Sequence, residues 1–153
     1  LLDNRGYAQY EVSAFAQKDC LSQHNMNYWQ FGDYLGIGAG AHGKISLMDK
    51  NSILRSNKTR QPDNYLARDP LTLAQQKPIA VDELAVEFMM NGLRLRHGIR
   101  ADYFTPRTGL ATARITHQVA KLQSQGLLEV DDQRYKTTAL GYQFLNSVLQ
   151  GFS

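Results

Sequence analysis

The stretch GIGAGAHG, Gly36 to Gly43, decides how the fold is read. It satisfies the loose dinucleotide pattern G-x-G-x-x-[GA], with Ala41 in the last place. That pattern needs a helix directly behind it, whose free N–H groups and dipole receive a pyrophosphate. The next residues are instead KISLMDKNSILRSN, Lys44 to Asn57, two short β-forming runs around Asp49-Lys50-Asn51, the pattern of a hairpin. A doubly wound nucleotide-binding sheet therefore gives way to a buried strand, Asp33 to Ile45, whose glycines let another backbone or a ligand come close. On the residues alone two uses of such a strand stay open: close packing, or a strand end that lines a ligand site.

On the N-terminal side, Asn4-Arg5-Gly6 is a helix-stop signal, and YAQYEVSAF, Tyr7 to Phe15, reads as a strand. Gln17 to Gly32 is polar and aromatic without a clear period and reads as a loop with short helical turns. On the C-terminal side, Pro62, Pro70 and Pro78 punctuate a connector. Beyond it Val81, Leu84, Ala85, Phe88, Met89 and Leu93 recur at helical spacing, with Asp82 and Glu83 in the first turn and an end near His97-Gly98. A second helix is expected from Ala111 to Ser124, with Ile115, Val119 and Leu122 on one face and Gly126 placed to end it. LLEVDDQRYKTT reads as strand, Asp131-Asp132 turn and strand, and ALGYQFLNSVL as one closing helix. The fold class is α+β, with segments 1–58, 59–79 (connector) and 80–153, the last in a helical, winged-helix-like order.

The bulk properties narrow the function. A chain of 153 residues can bury a sizeable core, and a net charge of +3 permits anionic partners without requiring them. The single cysteine, Cys20, rules out an internal disulfide and fits a reducing, cytoplasmic setting. No apolar run approaches the length of a membrane helix. The start has neither an initiator Met nor a signal-peptide layout, and the chain is expected to be a piece cut from a larger fold. No P-loop, G-x-S-x-G or H-E-x-x-H occurs, which leaves kinase and hydrolase chemistry unsupported. Cys20 and His24 are four apart, yet two ligands do not make a zinc site. Arg114, His117, Lys121, Arg134 and Lys136 could meet phosphates, but the helix from Ala111 to Ser124 carries only Arg114 and Lys121 as formal charges. The wing opens on Glu129, Asp131 and Asp132, so nucleic-acid binding is not expected.

One segment stands out chemically. HNMNYW, His24 to Trp29, puts an imidazole, two aromatic rings and a thioether in six residues without a formal charge. In a strand, His24, Met26 and Tyr28 would share a face; in a helix, His24 would lie over Tyr28. Two readings are open. Tyr28 and Trp29 plug a loop to the core while His24 caps a carbonyl, or the segment walls a haem, whose iron takes an axial imidazole.

Taken in order, YEVSAFA, HNMNYW, DYLGIGAGAH with its hairpin, EFMMNGLRLRHGI and the strand–turn–strand tail resemble the C-terminal half of a radical S-adenosylmethionine family. It is the family similar to oxygen-independent coproporphyrinogen III oxidase, and HNxxYW resembles its haem-chaperone branch. The resemblance covers essentially the whole chain. It implies the last strands of a partial (β/α) radical-SAM barrel with an appended β-hairpin, then the helical, winged-helix-like domain. It implies haem as ligand, with His24 as axial ligand to the iron and Tyr28 and Trp29 against the macrocycle. Ala41 and His42 would lie at the edge of an S-adenosylmethionine site, where His42 departs from the oxidases' more apolar residue. Basic side chains such as Arg55, Lys58 or Arg60 would meet haem propionates. The intact protein would carry a [4Fe-4S] cluster and S-adenosylmethionine; CxxxCxxC is missing here, so this chain alone is expected to lack radical chemistry. The implied function is to bind haem and deliver it to client haemoproteins. The alternative is oxidative decarboxylation of coproporphyrinogen in haem biosynthesis, and the third reading is a winged-helix nucleic-acid module. Homodimerisation and membrane association of the intact protein stay open.

Overall fold

Gly6, at φ 74°, ends a single 3-10 turn and releases the chain into strand β1, Tyr7–Glu11. The structure is a computed structural model that describes residues 2–50, 52–68, 75–131 and 133–152. β1 pairs antiparallel with β2, Ala14–Gln17, from Tyr7↔Gln17 to Glu11↔Ala14. The expected single strand from Tyr7 to Phe15 is therefore a hairpin. The cause is Glu11, whose carboxylate accepts the Ser13 N–H at 2.9 Å and its hydroxyl at 3.0 Å and so closes the Val12-Ser13 turn. The loop with short helical turns expected after it holds one helix of seven residues, α1, Gln23–Trp29.

The fold is mixed α+β and divides into two compact units, residues 1–31 with 81–153, and residues 32–80. This division differs from the composition-based segments, because the N-terminal hairpin and α1 pack with the C-terminal helices.

The 32–80 unit is a three-stranded antiparallel sheet in the order β3-β4-β5. β3, His42–Leu47, and β4, Ser52–Asn57, form the expected hairpin, in register from His42↔Asn57 to Leu47↔Ser52. β5, Gln75–Pro78, adds a strand where the sequence suggested only connector, and α2, Pro62–Leu66, a short helix. Parts of the expected connector and turns, at Asn51, Asp69, Pro70 and Asp132, lie outside the described residues. The stretch from Asp33 to Ile45 is not one buried strand. Gly38 and Gly40 take φ of 99° and 71°, which breaks the extended run, and Leu35 and Ile37 are 75% and 88% exposed. Close backbone approach does occur, since a Cβ on Gly36 would sit 2.0 Å from the His42 carbonyl oxygen. Tyr34 and Lys44 exchange both backbone hydrogen bonds, and the buried Lys44 ammonium meets Asp33 at 3.3 Å.

In the other unit α3, Val81–Gly92, ends before His97-Gly98 as the backbone tightens into turns, the Arg94 and Leu95 N–H groups reaching the Asn91 and Gly92 carbonyls at 3.4 and 3.2 Å; Gly92 packs on Ile99, and a Cβ there would lie 2.4 Å from its Cγ2. Then come β6, Ile99–Arg100, α4, Phe104–Thr108, and α5, Ala113–Ser124. Gly126, at φ 69°, ends α5 as expected: the Leu127 N–H reaches the Leu122 carbonyl at 3.0 Å and the Gly126 N–H reaches Gln123 at 2.9 Å. β7, Leu128–Asp131, and β8, Arg134–Thr137, form the hairpin of a small sheet ordered β6-β8-β7. The expected closing helix is two, α6, Ala139–Gln143, and α7, Leu145–Gln150, broken at Phe144. The core gathers Leu84, Phe88, Met89, Ile99, Phe104, Ile115 and Val148, with Phe88 edge-on to both Phe31 and Phe104.

Candidate functional site

HNMNYW is helical, and the helix sorts its residues. Successive residues advance by about 100°, so residues four apart lie about 40° from one another. His24 and Tyr28 are one such pair, and Asn25 and Trp29 the other. His24 and Trp29, five apart, are about 140° around the axis and do not share a face.

The Asn25–Trp29 side is the anchored one. The Asn25 side-chain amide donates to the Tyr10 hydroxyl at 3.1 Å, fastening α1 to β1. The Arg94 guanidinium lies 4.5 Å from the Trp29 ring centroid, a cation–π contact. Arg94 is held in turn by Glu11, with Nε at 2.7 Å and Nη2 at 2.6 Å from Oε1. Glu11 is 1% exposed. Burial alone would push its carboxyl up, but hydrogen bonds from Ser13 and Arg94 outweigh it and hold the group below the ordinary glutamate range. Arg107 donates to the Gln30 carbonyl just past the helix.

The His24–Tyr28 side faces outward. His24 is exposed and, among the described residues, has no hydrogen-bond or ion-pair partner, so it does not cap a carbonyl. Tyr28 is half-buried and meets Trp29 edge-on, centroids 4.7 Å apart at 87°. Ser22 caps the helix, its hydroxyl accepting the Asn25 N–H at 3.3 Å. Ser22→Ala is expected to cost about 1 kcal/mol, read as a fall in the denaturation midpoint with an unchanged slope.

The other expected residues lie in the 32–80 unit. Ala41 spends its backbone within its own loop: its N–H reaches the Gly38 carbonyl at 3.3 Å and its carbonyl accepts Lys58 N–H at 2.9 Å. His42 opens β3 and is exposed. Arg55 lies in register between Lys44 and Lys77, and Lys58 sits 5.8 Å from the Tyr65 ring centroid. Glu11, Tyr10 and Arg94 were not expected at the site. Arg94 and Glu11 are 83 residues apart, and no local pattern joins them.

A [4Fe-4S] cluster does not fit this chain, because such clusters take several thiolates and the chain has one cysteine, exposed Cys20. Among the described residues no group of three or more His, Cys, Asp or Glu side chains could hold a metal ion. Among them, too, no helix is long and apolar enough to cross a membrane.

Known proteins are similar to this chain in sequence and in fold. Residues 79–144 match the family described as HemN C-terminal domain. The haem chaperone HemW of Escherichia coli (strain K12) is 40% identical over 152 residues, covering 99% of this chain and 39% of that protein. The mitochondrial radical S-adenosyl methionine domain-containing protein 1 of Bos taurus is 34% identical over 158 residues, 97% of this chain and 36% of that protein. The chain thus spans about two fifths of the length of the curated relatives it matches. Among solved structures, the radical SAM enzyme coproporphyrinogen III oxidase (HemN) of Escherichia coli matches with a TM-score of 0.58, over 99% of this chain and 38% of its own. At 17% identity that likeness concerns the fold alone.

Proposed function

We propose, from the premise that the chain belongs to the HemW- and HemN-like family of radical S-adenosylmethionine proteins, that it is the haem-handling C-terminal part of a haem chaperone. The observation that carries the proposal is the division of α1: one side is fastened by Tyr10 and Arg94, while the other presents an exposed, unpartnered imidazole with an aromatic ring one turn away. Haem iron takes an axial imidazole, and the macrocycle favours an aromatic wall. His24 is the axial ligand in this reading and Tyr28 the wall. Trp29 supports them from the anchored side of the helix. A ligand held at an exposed helix face can be passed to a client haemoprotein without unfolding the carrier.

The 32–80 sheet is the end of the radical-SAM barrel in this proposal, and residues 81–153 form a winged-helix-like domain that supports α1. The order β6-β8-β7 with α3, α4 and α5 supports the second assignment. Nucleic-acid binding is not part of it: Arg114 pairs with Asp82 at 3.1 Å and Lys136 with Glu129 at 2.7 Å, which offsets two of the cations that would meet phosphates. The identity to haem chaperones over the whole chain favours delivery over coproporphyrinogen decarboxylation.

Titrating hemin into the chain is expected to shift the Soret band with saturation at one haem per chain. His24→Ala should weaken binding by about tenfold or more, the equivalent of about 1.4 kcal/mol. An identical titration in the variant would overturn the ligand assignment, and no spectral change in the wild type would overturn haem binding by this chain.

A further inference from the structure

A cavity of about 370 Å³ opens within the unit formed by residues 1–31 and 81–153. It lies between the β1–β2 turn, the segment after α3 and the corner where α6 breaks into α7, and it is lined by Val12, Arg94, Tyr142, Phe144, Leu145 and neighbouring polar residues. Its size falls in the range of small-molecule sites, which combine apolar walls with a few placed polar groups.

The walls are of that kind. Val12 and Phe144 are 37% and 55% exposed and give an apolar mouth. Phe144 turns outward because the helix breaks there, at φ −109° and ψ 36°. The polar groups are donors. Arg94 keeps its side chain 30% exposed while Nε and Nη2 bind Glu11, so its Nη1 N–H groups carry no bond to Glu11. The Tyr142 hydroxyl makes no geometric hydrogen bond among the described residues and lies just behind the cavity wall beside the Arg96 guanidinium, so a ligand reaches it only when the wall gives slightly. Its ring is held by Arg96, whose guanidinium stands 4.3 Å from the centroid. Among the described residues no acidic side chain lines the cavity, and the nearby Glu11 already accepts Arg94 at one oxygen and Ser13 at the other.

Free guanidinium N–H groups beside a phenol without a geometric hydrogen bond, under an apolar mouth, match a carboxylate on an apolar body. The geometry points to a second binding site here for such a ligand, with Arg94 and Tyr142 holding the carboxylate and Val12 and Phe144 covering the body. Arg94 also stacks on Trp29, so the site reaches the HNMNYW helix through one side chain. The carboxylate could be free or a propionate of a bound haem.

Trp29 is the only tryptophan of the chain, and its emission reports directly on Arg94. With 3-phenylpropionate as probe, saturable binding heat and a change in Trp29 emission are expected. Its uncharged amide should bind about tenfold more weakly, and Tyr142→Phe should weaken the acid by about three- to tenfold. Arg94→Gln, which removes the charge, should abolish the preference for acid over amide, while Arg94→Lys should keep part of it. Equal binding of acid and amide, or neither heat nor emission change, would overturn the site. Adding hemin identifies the source: competition with the probe assigns the carboxylate to a haem propionate, and independent binding assigns it to a free acid. The probe arm does not depend on haem binding, so failure of the site and failure of the haem reading are told apart.

Discussion

Replacing Phe88 by alanine should cost about 3–5 kcal/mol, the range for removing a buried aromatic ring from a core that cannot fully collapse. Phe88 is fully buried on α3, with the Phe31 ring centroid 5.8 Å away at 70° and that of Phe104 at 5.2 Å and 90°. Phe31 lies just beyond α1, so the ring links the motif helix to the core. For a protein of this size about 1 kcal/mol corresponds to about 2–4 °C, and the thermal midpoint should fall accordingly. Phe88→Leu, which keeps most of the volume, should cost less than about 1.5 kcal/mol. Equal midpoints for Phe88→Ala and the wild type would contradict the placement of the core.

The second large effect belongs to Arg94. Removing one partner of a buried ion pair leaves the other charge uncompensated, and Arg94→Ala should cost about 3–5 kcal/mol at neutral pH. Because Arg94 is partly exposed, water can reach the gap, and the lower end of that range is expected. The effect has a signed pH dependence. The Glu11 carboxyl is held below the ordinary glutamate range, so the folded state binds fewer protons than the unfolded state. Its contribution is present above the unfolded glutamate pKa of about 4.3 and is lost as pH falls through the lowered folded value. The difference in stability between Arg94→Ala and the wild type should therefore narrow as the pH falls into the acid range, because Glu11 of the variant, buried without its cation, takes up a proton at higher pH than Glu11 of the wild type. Urea midpoints at neutral and acid pH measure this; a penalty that does not change with pH would mean that the Glu11 charge is not what Arg94 compensates.

The same pair shows where sequence reading ends. Helices are legible wherever apolar residues recur at a 3.6 period, as in α3 and α5, and the Gly126 stop is legible because only a left-handed residue closes that motif. The β3–β4 hairpin is legible from its two β-rich runs. YEVSAF misleads because a β-rich run does not show where it turns, and the turn depends on Glu11, whose carboxylate is fixed from Arg94, 83 residues away. GIGAGAHG shows its close backbone approach but not the exposure of Ile37 within it and of Leu35 just before it, since left-handed glycines can end a strand as readily as they open it. In HNMNYW the residue types suggest a site, and only the helix reveals that Trp29 faces away from His24. Arg94 and Tyr142 give no signal, because the cavity they share is built from segments distant along the chain.

The most direct test of the haem assignment reads the imidazoles themselves. The chain has four histidines, His24, His42, His97 and His117. In a nitrogen-15-labelled sample titrated with ferric hemin, paramagnetic broadening should erase the ring signals of His24 first, while those of His42, His97 and His117 persist at one haem per chain. Loss of the His42 signals with His24 intact would move the haem to the β3 loop and contradict the reading of α1 as the helix that presents haem.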